Sequence, residues 1–274
     1  MKIVVTGSSS GIGRALVLRL LEQHHNVWGL ARSDQAHFPA PLSGSFDSAV
    51  CDVAKWDEIY RAFELIGKRW SHVDGLVCCA GSHGEVGPAV RADPGRWSAT
   101  VRANLDGTFN SIRACHTLLK GATGRAKIVC FAGGGATKAR RNFSAYGVAK
   151  TGIIRLVETI AEEEIQTPLD INAVAPGAIA TRLTDEIVSL GPEIAGQAEY
   201  DSALRQQAGG GASLGQALDL VEWLLSPKSD GITGRLLSAL WDPWQSLGEH
   251  KGKLAQSDIY TLRRILPEDR GTTF

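Results

Sequence analysis

The sequence predicts an α/β fold with one doubly wound parallel sheet and helices on both of its faces. Short runs rich in Val, Ile and Leu alternate with longer segments of helical periodicity along most of the chain. No long linker or shift in composition divides these elements, and 274 residues suit one sizeable domain. Because parallel strands joined by helices are buried on both faces, we expect a large apolar core.

Each element follows from its own pattern. KIVVT at 2–6 is a short β-rich run that ends in glycines and serines, after which ALVLRLLEQ has helical periodicity. The same alternation continues towards the C-terminus. Strands are predicted at 2–6, 27–31, 48–51, 74–80, 127–132, 170–175 and 234–239, and helical segments at about 56–70, 97–119, 146–165 and 214–225.

The turn after the first strand has the features of a nucleotide cradle. Gly7, Gly11 and Gly13 lie between a strand and a helix, so the backbone can turn tightly and approach a pyrophosphate. The helix N-terminus then offers its free N–H groups to the negative charge. The spacing is GxxxGxG, and its position between strand and helix favours a dinucleotide-binding loop.

The next two strands indicate which nucleotide is bound. The second strand ends at Arg32 and lacks the acidic residue that usually holds the ribose hydroxyls of NAD. A guanidinium binds phosphate oxygens in a bidentate fork, so Arg32 favours NADP over NAD. Asp52 and the backbone of Val53 could bind the adenine edge, although an aspartate here could equally cap a helix.

Tyr146 and Lys150 are four residues apart at the start of a helix-like run, so their side chains should project into the same volume. A phenol has a pKa of ~10, which makes it a poor base at neutral pH. A nearby ammonium stabilises the phenolate and lowers that pKa. The pair therefore has the composition of an acid/base catalyst, although YxxxK also occurs on ordinary helix surfaces.

Composition excludes several classes of protein. Lys plus Arg and Asp plus Glu both number 29, so a net charge of +0 gives no indication of a nucleic-acid or anionic-membrane partner. Five cysteines without CxxC spacing favour reduced, buried thiols in the cytoplasm, and a metal or redox role for adjacent Cys78 and Cys79 is not favoured. No apolar run approaches the length of a membrane span, and the chain opens on a strand pattern rather than a leader.

Four motifs in register resemble the short-chain dehydrogenase/reductase family over about residues 1–240. They are TGSSSGIG at 6–13, Asn104 in the central helical segment, YGVAK at 146–150 and APGAIAT at 175–181. The resemblance implies a Rossmann-type fold, an NAD(P) cofactor and assembly as a homodimer or homotetramer. Ala80 and Gly81 stand in the family's NNAG motif, in which Cys79 replaces an asparagine; this puts local hydrogen bonding of the strand in doubt.

The resemblance also implies roles for individual residues. Tyr146 would be the general acid/base, Lys150 would hold the nicotinamide ribose and lower the tyrosine pKa, and Asn104 would carry a water that relays the proton. Ile179 and Thr181 would bind the carboxamide. The residues that we expect to contact the cofactor are Gly7, Ser9, Ser10, Gly11, Ile12, Gly13, Arg32, Asp52, Val53, Ala80, Gly81, Asn104, Tyr146, Lys150, Pro176, Gly177, Ile179 and Thr181.

One position departs from the family in a way that bears on catalysis. The family's catalytic serine lies thirteen residues before the tyrosine, and Gly133 stands there. Loss of a preorganised donor to an oxyanion lowers rates by about 10²- to 10³-fold in other enzymes. Ser144, Thr137 or a hydroxyl of the substrate could substitute, although Ser144 should point away from Tyr146. His83 and Glu85 could also face the substrate.

The C-terminal part is less regular. Residues 181–211 are polar and rich in glycine, which suits a flap over the site, while 241–274 has no clear place in a doubly wound core. We therefore divide the chain into an NADP-binding domain at 1–240 and a tail extension at 241–274. Trp241 and Trp244 in the tail could staple the core or subunits, or contact substrate.

The sequence thus predicts an NADP-dependent oxidoreductase that interconverts a carbonyl and a secondary alcohol. The polar flap and the tail tryptophans favour a polar or sugar-like substrate. Two alternatives stay open. Loss of the serine suits a nucleotide-binding sensor or scaffold with weakened catalysis, and transient oxidation would suit an epimerase or dehydratase.

Overall fold

The computed structural model, which describes residues 1–35 and 44–273, confirms the α/β fold. Seven parallel strands form one sheet in the order β3-β2-β1-β4-β5-β6-β7. Because the order reverses between β1 and β4, a crevice opens beyond the carboxyl ends of these strands. The strands are β1 Lys2–Thr6, β2 Asn26–Ala31, β3 Phe46–Val50, β4 Gly75–Cys78, β5 Ala126–Phe131, β6 Leu169–Ala175 and β7 Leu236–Ser238.

The helices lie close to their predicted positions, and boundaries differ by a few residues. The predicted segment at 97–119 is divided, because a π-helical turn at Arg102–Asp106 separates two α-helices. The α-helices are α1 Gly11–Glu22, α2 Trp56–Arg69, α3 Pro94–Val101, α4 Gly107–Lys120, α5 Ser144–Glu163, α6 Arg182–Ala195, α7 Gln197–Arg205, α8 Leu214–Leu225 and α9 Lys251–Ala255.

Successive strand residues pack on opposite faces of the sheet, as the period of a β-strand requires. In β4, Leu76 belongs to the apolar cluster with α2, α4 and α5, whereas Val77 belongs to the cluster with α1 and α8. Adjacent Cys78 and Cys79 likewise point to opposite faces, and all five cysteines are free. Cys79 N–H still donates to Thr6 O at 3.2 Å, so the strand pairing survives without the family's asparagine.

The tail, for which the sequence indicated no place, packs on the core. Trp244 is buried against Trp223 of α8, with ring centroids 6.0 Å apart, and its Nε1 donates to Ala239 O. The Arg235 guanidinium donates to the carbonyls of Ser257 and Ile259 at 2.9 and 2.8 Å. These contacts favour the stapling role for Trp244; the division of the chain at residue 240 stays a prediction.

Within residues 1–35 and 44–273, no helix combines the length and apolar character needed to cross a bilayer. The same part of the chain contains no group of three or more His, Cys, Asp or Glu side chains arranged to hold a metal ion.

Candidate active site

A cleft of about 1280 Å³ lies at the carboxyl ends of the strands, where the loops after β1, β2, β4, β5 and β6 meet. Pockets for one small ligand are typically ~300–1,000 Å³, so this cleft has room for a dinucleotide and a substrate. Every predicted cofactor-binding and catalytic residue lines it, from Gly7 in the first loop to Thr181 at the start of α6. The sequence therefore located the cleft correctly; the roles of its residues stay predictions.

The glycine turn after β1 fits the pyrophosphate of a dinucleotide. Gly7 has a φ of 70°, and a Cβ there would lie 2.7 Å from Ala80 N, so no side chain fits. A Cβ on Gly13 would collide with the carbonyl of Gly7. Ser10 precedes α1 but makes no side-chain cap hydrogen bond, and the first turn has no acidic residue. The N–H groups of this helix end are thus left to an anion.

The adenosine end of the cleft contains Arg32 and Asp52. Arg32 directly follows β2, is exposed and lines the cleft, where its guanidinium could reach a 2′-phosphate. One carboxylate oxygen of Asp52 accepts the Ala54 N–H at 3.0 Å, so it closes a local turn. Val53 is buried, and its carbonyl accepts from Asn110 Nδ2 at 3.0 Å. Contact of Asp52 with adenine stays a prediction.

Tyr146 and Lys150 lie in the first two turns of α5 and face the cleft together. Lys150 Nζ donates to Phe131 O at 2.8 Å and lies 5.5 Å from the centre of the Tyr146 ring. Burial lowers the pKa of Lys150 to about 8. Burial raises the pKa of Tyr146, and the cation that opposes this effect is Arg140. Lowering of the tyrosine pKa by Lys150 stays a prediction.

Asn104 lies in the π-helical turn between α3 and α4. Its Nδ2 donates to the carbonyls of Ser82 and Thr100, both at 2.9 Å, which fixes the amide. Its Oδ1 is buried and has no hydrogen-bond partner among the residues that the structure describes. A Cβ on Gly81 would lie 2.6 Å from this oxygen and 3.5 Å from Lys150 Nζ. The missing side chain of Gly81 therefore keeps space open between an unsatisfied acceptor and a buried ammonium.

At position 133, where the family has its catalytic serine, the Tyr146 side chain leaves no room for a side chain. A Cβ on Gly133 would lie 2.8 Å from the Tyr146 hydroxyl oxygen. Ser144 is engaged elsewhere, because its Oγ accepts from Trp97 Nε1 at 3.1 Å. Thr137 is exposed and lines the cleft. Of the two hydroxyl candidates on the chain, only Thr137 therefore borders the site.

His83 lines the cleft beside Tyr146, and its contact with substrate stays a prediction. It is buried, and its ring meets the Tyr146 ring edge to face at 4.9 Å and 66°. Burial, with the positive charges of Arg140 and Lys150, lowers the pKa of His83 to about 3. Glu85 instead turns towards α3, where it pairs with Arg96 at 2.8 Å.

Sequence reasoning missed Arg140 and Glu199. The Arg140 guanidinium lies 3.8 Å above the Phe143 ring, and its Nε and Nη2 donate to the two carboxylate oxygens of Glu199 at 3.0 and 2.7 Å. Glu199 belongs to α7, so the contact is distant in sequence. The signal that could have indicated Arg140 was the run of glycines at 133–135, which leaves room beside the cleft.

Helices α6 and α7 cover the substrate side, in the position predicted for a flap. Ile187 of α6 and Ala203 of α7 pack in one apolar cluster with Phe143 and Tyr146. Trp241 lines the mouth of the cleft and is 84% exposed, whereas Trp244 is buried behind it. The two tryptophans of the tail are therefore in different environments.

Comparison with known proteins agrees with this geometry. The model of the short chain dehydrogenase family matches residues 1–190. Short-chain dehydrogenase/reductase ABA4 of Pyricularia oryzae is 28% identical over 85% of this chain and 88% of its own. The 3-oxoacyl-acyl-carrier-protein reductase MabA of Mycobacterium avium is 31% identical over 69% of this chain and 72% of its own. The solved aldohexose dehydrogenase of Thermoplasma acidophilum is 23% identical, with a TM-score of 0.73 over 96% of this chain and 97% of its own.

A parallel sheet with its cleft at the β1/β4 reversal, a glycine loop and a buried tyrosine–lysine pair defines an NAD(P)-dependent oxidoreductase. The chain belongs to the short-chain dehydrogenase/reductase family.

Proposed function

We propose that this oxidoreductase uses NADP(H) to interconvert a carbonyl and a secondary alcohol, with Tyr146 as the general acid/base. The observation that carries the proposal is the position of Tyr146 and Lys150. Both line one cleft with the glycine loop, and Lys150 Nζ lies 5.5 Å from the tyrosine ring. The named activity of MabA, a 3-oxoacyl reductase, is of the same chemical class.

Bound NADPH would supply a hydride to the carbonyl carbon of the substrate. Tyr146 would donate its phenolic proton to the carbonyl oxygen as that oxygen gains electrons. Lys150, already hydrogen-bonded to Phe131 O, would hold the nicotinamide ribose. The unsatisfied Oδ1 of Asn104 would accept a hydrogen bond from a water in the proton relay.

Arg32 supports NADP over NAD, because a guanidinium at the end of β2 can bind a 2′-phosphate in a fork whereas an NAD site usually has a carboxylate there. The glycine loop serves the pyrophosphate of either cofactor. Choice between the two therefore depends on Arg32.

The test is turnover by the purified chain. NADPH consumption is measured with a panel of ketones, aldehydes and keto-sugars, and NADP⁺ reduction with the matching alcohols. We expect at least one pair to react in both directions, with NADPH used more efficiently than NADH. No turnover across the panel, together with tight NADPH binding in a fluorescence titration, would contradict an oxidoreductase of this kind.

Gly133 favours one second candidate, a nucleotide-binding sensor with little catalysis, because that residue has no hydroxyl to polarise a carbonyl. Both candidates predict NADPH binding, so only turnover discriminates between them. An epimerase or dehydratase would return the cofactor unchanged, and analysis of products would reveal it.

We further propose a polar or sugar-like substrate and a cytoplasmic homodimer or homotetramer. The exposed Trp241 at the cleft mouth offers an amphipathic ring face to such a substrate. The free thiols suit a reducing compartment. Phe109 of α4 and Val148 of α5 are about half exposed, which supports packing of these helices against another subunit. Light scattering of the purified chain tests the assembly.

A further inference from the structure

Arg140 stands beside the reacting end of the cleft in a fixed orientation. Glu199 accepts from two nitrogens of its guanidinium, and the group stacks 3.8 Å above the Phe143 ring. Its side chain is only 15% exposed although it lines the cleft. A guanidinium that is hydrogen-bonded along one edge and stacked on one face has little rotational freedom left. Such restriction is the condition for a preorganised donor.

The glycine run at 133–135, which lacks the family's serine hydroxyl, also leaves room for the Arg140 side chain. A Cβ on Gly134 would lie 3.9 Å from Arg140 Nη1, and a Cβ on Gly135 would lie 3.2 Å from Arg140 Cβ. Larger side chains at these positions would extend into the volume of the arginine. The loss of the serine at Gly133 and the approach of Arg140 therefore occur in one segment of chain.

One nitrogen of the Arg140 guanidinium, Nη1, is left to contact a ligand. Nε and Nη2 serve Glu199, whereas Nη1 has one long contact, 3.5 Å to His83 Nε2. A guanidinium cannot accept a hydrogen bond, so in this contact Nη1 is the donor and His83 Nε2 the acceptor. His83 therefore orients Nη1 and does not itself donate from Nε2. The second N–H of Nη1 remains for a ligand.

The charge of Arg140 already acts on the catalytic tyrosine. Its guanidinium carbon lies 5.9 Å from the centre of the Tyr146 ring, and its charge lowers the tyrosine pKa against the effect of burial. The same field would stabilise negative charge that develops on a substrate oxygen next to the Tyr146 hydroxyl.

We propose that Arg140 is a catalytic residue that polarises the substrate carbonyl in place of the family's serine, with Glu199 and His83 as its positioning residues. This inference rests on the proposed carbonyl–alcohol chemistry. In reduction the hydride bonds to the carbonyl carbon, and the electron pair of the C=O π bond moves to oxygen. That oxygen takes the proton of Tyr146, while Arg140 Nη1 donates a hydrogen bond and keeps its protons.

The experiment compares wild type with Arg140→Met, Arg140→Lys and the matched control Arg61→Met, at an exposed arginine of α2 away from the cleft. Loss of an oxyanion donor lowers kcat by about 10²- to 10³-fold, so we expect this fall for Arg140→Met with an unchanged Kd for NADPH. Arg140→Lys should lose most of that rate because it keeps the charge but lacks the fork. Arg61→Met should keep wild-type kcat.

A readout that folding defects would not produce is chemical rescue. Guanidinium ion added to Arg140→Ala should restore part of kcat, whereas ammonium at equal ionic strength should restore less. Wild-type kcat in Arg140→Met, or a rise in KM alone, would overturn the inference, since either result leaves no role in the transition state. If Arg140→Met does not fold, the kcat of Arg140→Lys decides. Absence of turnover in wild type would instead overturn the proposed function.

Discussion

The two halves of the cleft are built in different ways. On the cofactor side, main-chain groups and missing side chains form the site: Gly7 and Gly13 pack against neighbouring backbone, and the N-terminus of α1 is uncapped. On the substrate side, charged and aromatic side chains from distant segments meet, with Arg140 bound to Glu199 and His83 set against Tyr146. The first half is a local property of the chain and the second is a property of tertiary packing.

This difference implies different responses to mutation. A backbone site accepts any ligand with the right phosphate geometry, and it fails when a side chain is added. A side-chain site fails when one partner is removed, because the remaining charge or donor is left unpaired.

The largest effect should come from Tyr146→Phe. Removing the proton donor from the substrate half should lower kcat by ~10³-fold or more, near the upper part of the range for general acid/base groups. NADPH affinity should not change, since the phosphate loop is untouched. Steady-state kinetics and a fluorescence titration check the two claims. Tyr60→Phe, at a half-exposed tyrosine of α2, is the matched control; a Tyr146→Phe enzyme with normal kcat would contradict the assignment.

His83 should make the folded protein sensitive to acid. Its pKa is about 3 in the folded protein against 6.5 for an unperturbed histidine, so the unfolded chain binds more protons between these values. The stabilisation that comes from keeping the His83 ring neutral is complete above pH ~6.5. The free energy of unfolding falls as the pH drops towards 3, by about 2 kcal/mol at pH 5. The charged groups around the ring are Arg140, Lys150 and Glu186.

Urea unfolding of wild type and His83→Phe at pH 8 and pH 5 measures this effect. In His83→Phe the difference in unfolding free energy between pH 8 and pH 5 should be smaller by about 2 kcal/mol than in wild type. The exposed His250→Phe variant should keep the wild-type difference. An unchanged pH dependence in His83→Phe would show that another group is responsible.

Restoring the family's serine should harm this enzyme. In Gly133→Ser the new Cβ would lie 2.8 Å from the Tyr146 hydroxyl oxygen, so the ring must shift away from the reacting position. Overpacking of this kind costs about 1–3 kcal/mol, and we expect kcat to fall by ~10-fold. Gly124→Ser is the control, because no atom lies within 4 Å of a Cβ at that exposed glycine. A faster Gly133→Ser enzyme would contradict the closed geometry.

The smallest effect should be that of Arg32→Ala on the cofactor half. Loss of an exposed contact to the 2′-phosphate should raise the Kd for NADPH by ~10-fold and leave the Kd for NADH unchanged, since one charged hydrogen bond contributes about 1.5 kcal/mol. Isothermal titration with both cofactors measures the ratio. Equal changes for the two cofactors would assign Arg32 to the shared part of the dinucleotide.

The sequence predicted β1, the glycine turn and α1 because strand, glycines and helix are consecutive in the chain, and the residues proposed to bind the cofactor line one cleft. It also predicted Tyr146 and Lys150, which lie on one face of one helix. It could not predict the Arg140–Glu199 pair, since the partners are 59 residues apart and meet only when α7 folds over the cleft. It did not indicate that Arg140 acts on the pKa of Tyr146, because Glu199 of α7 holds that guanidinium in place.

The contacts of the tail also bear on the tendency of the protein to aggregate. β7 is the last strand of the sheet, and its Leu236 N–H donates to Tyr260 O at 2.8 Å instead of facing solvent. Trp244 and Leu254 meanwhile cover the apolar surface of α8 and its neighbours. A free strand edge beside an uncovered apolar face is a template for intermolecular pairing and fibre growth. We therefore expect removal of the tail to expose both features and to make the protein more prone to aggregate.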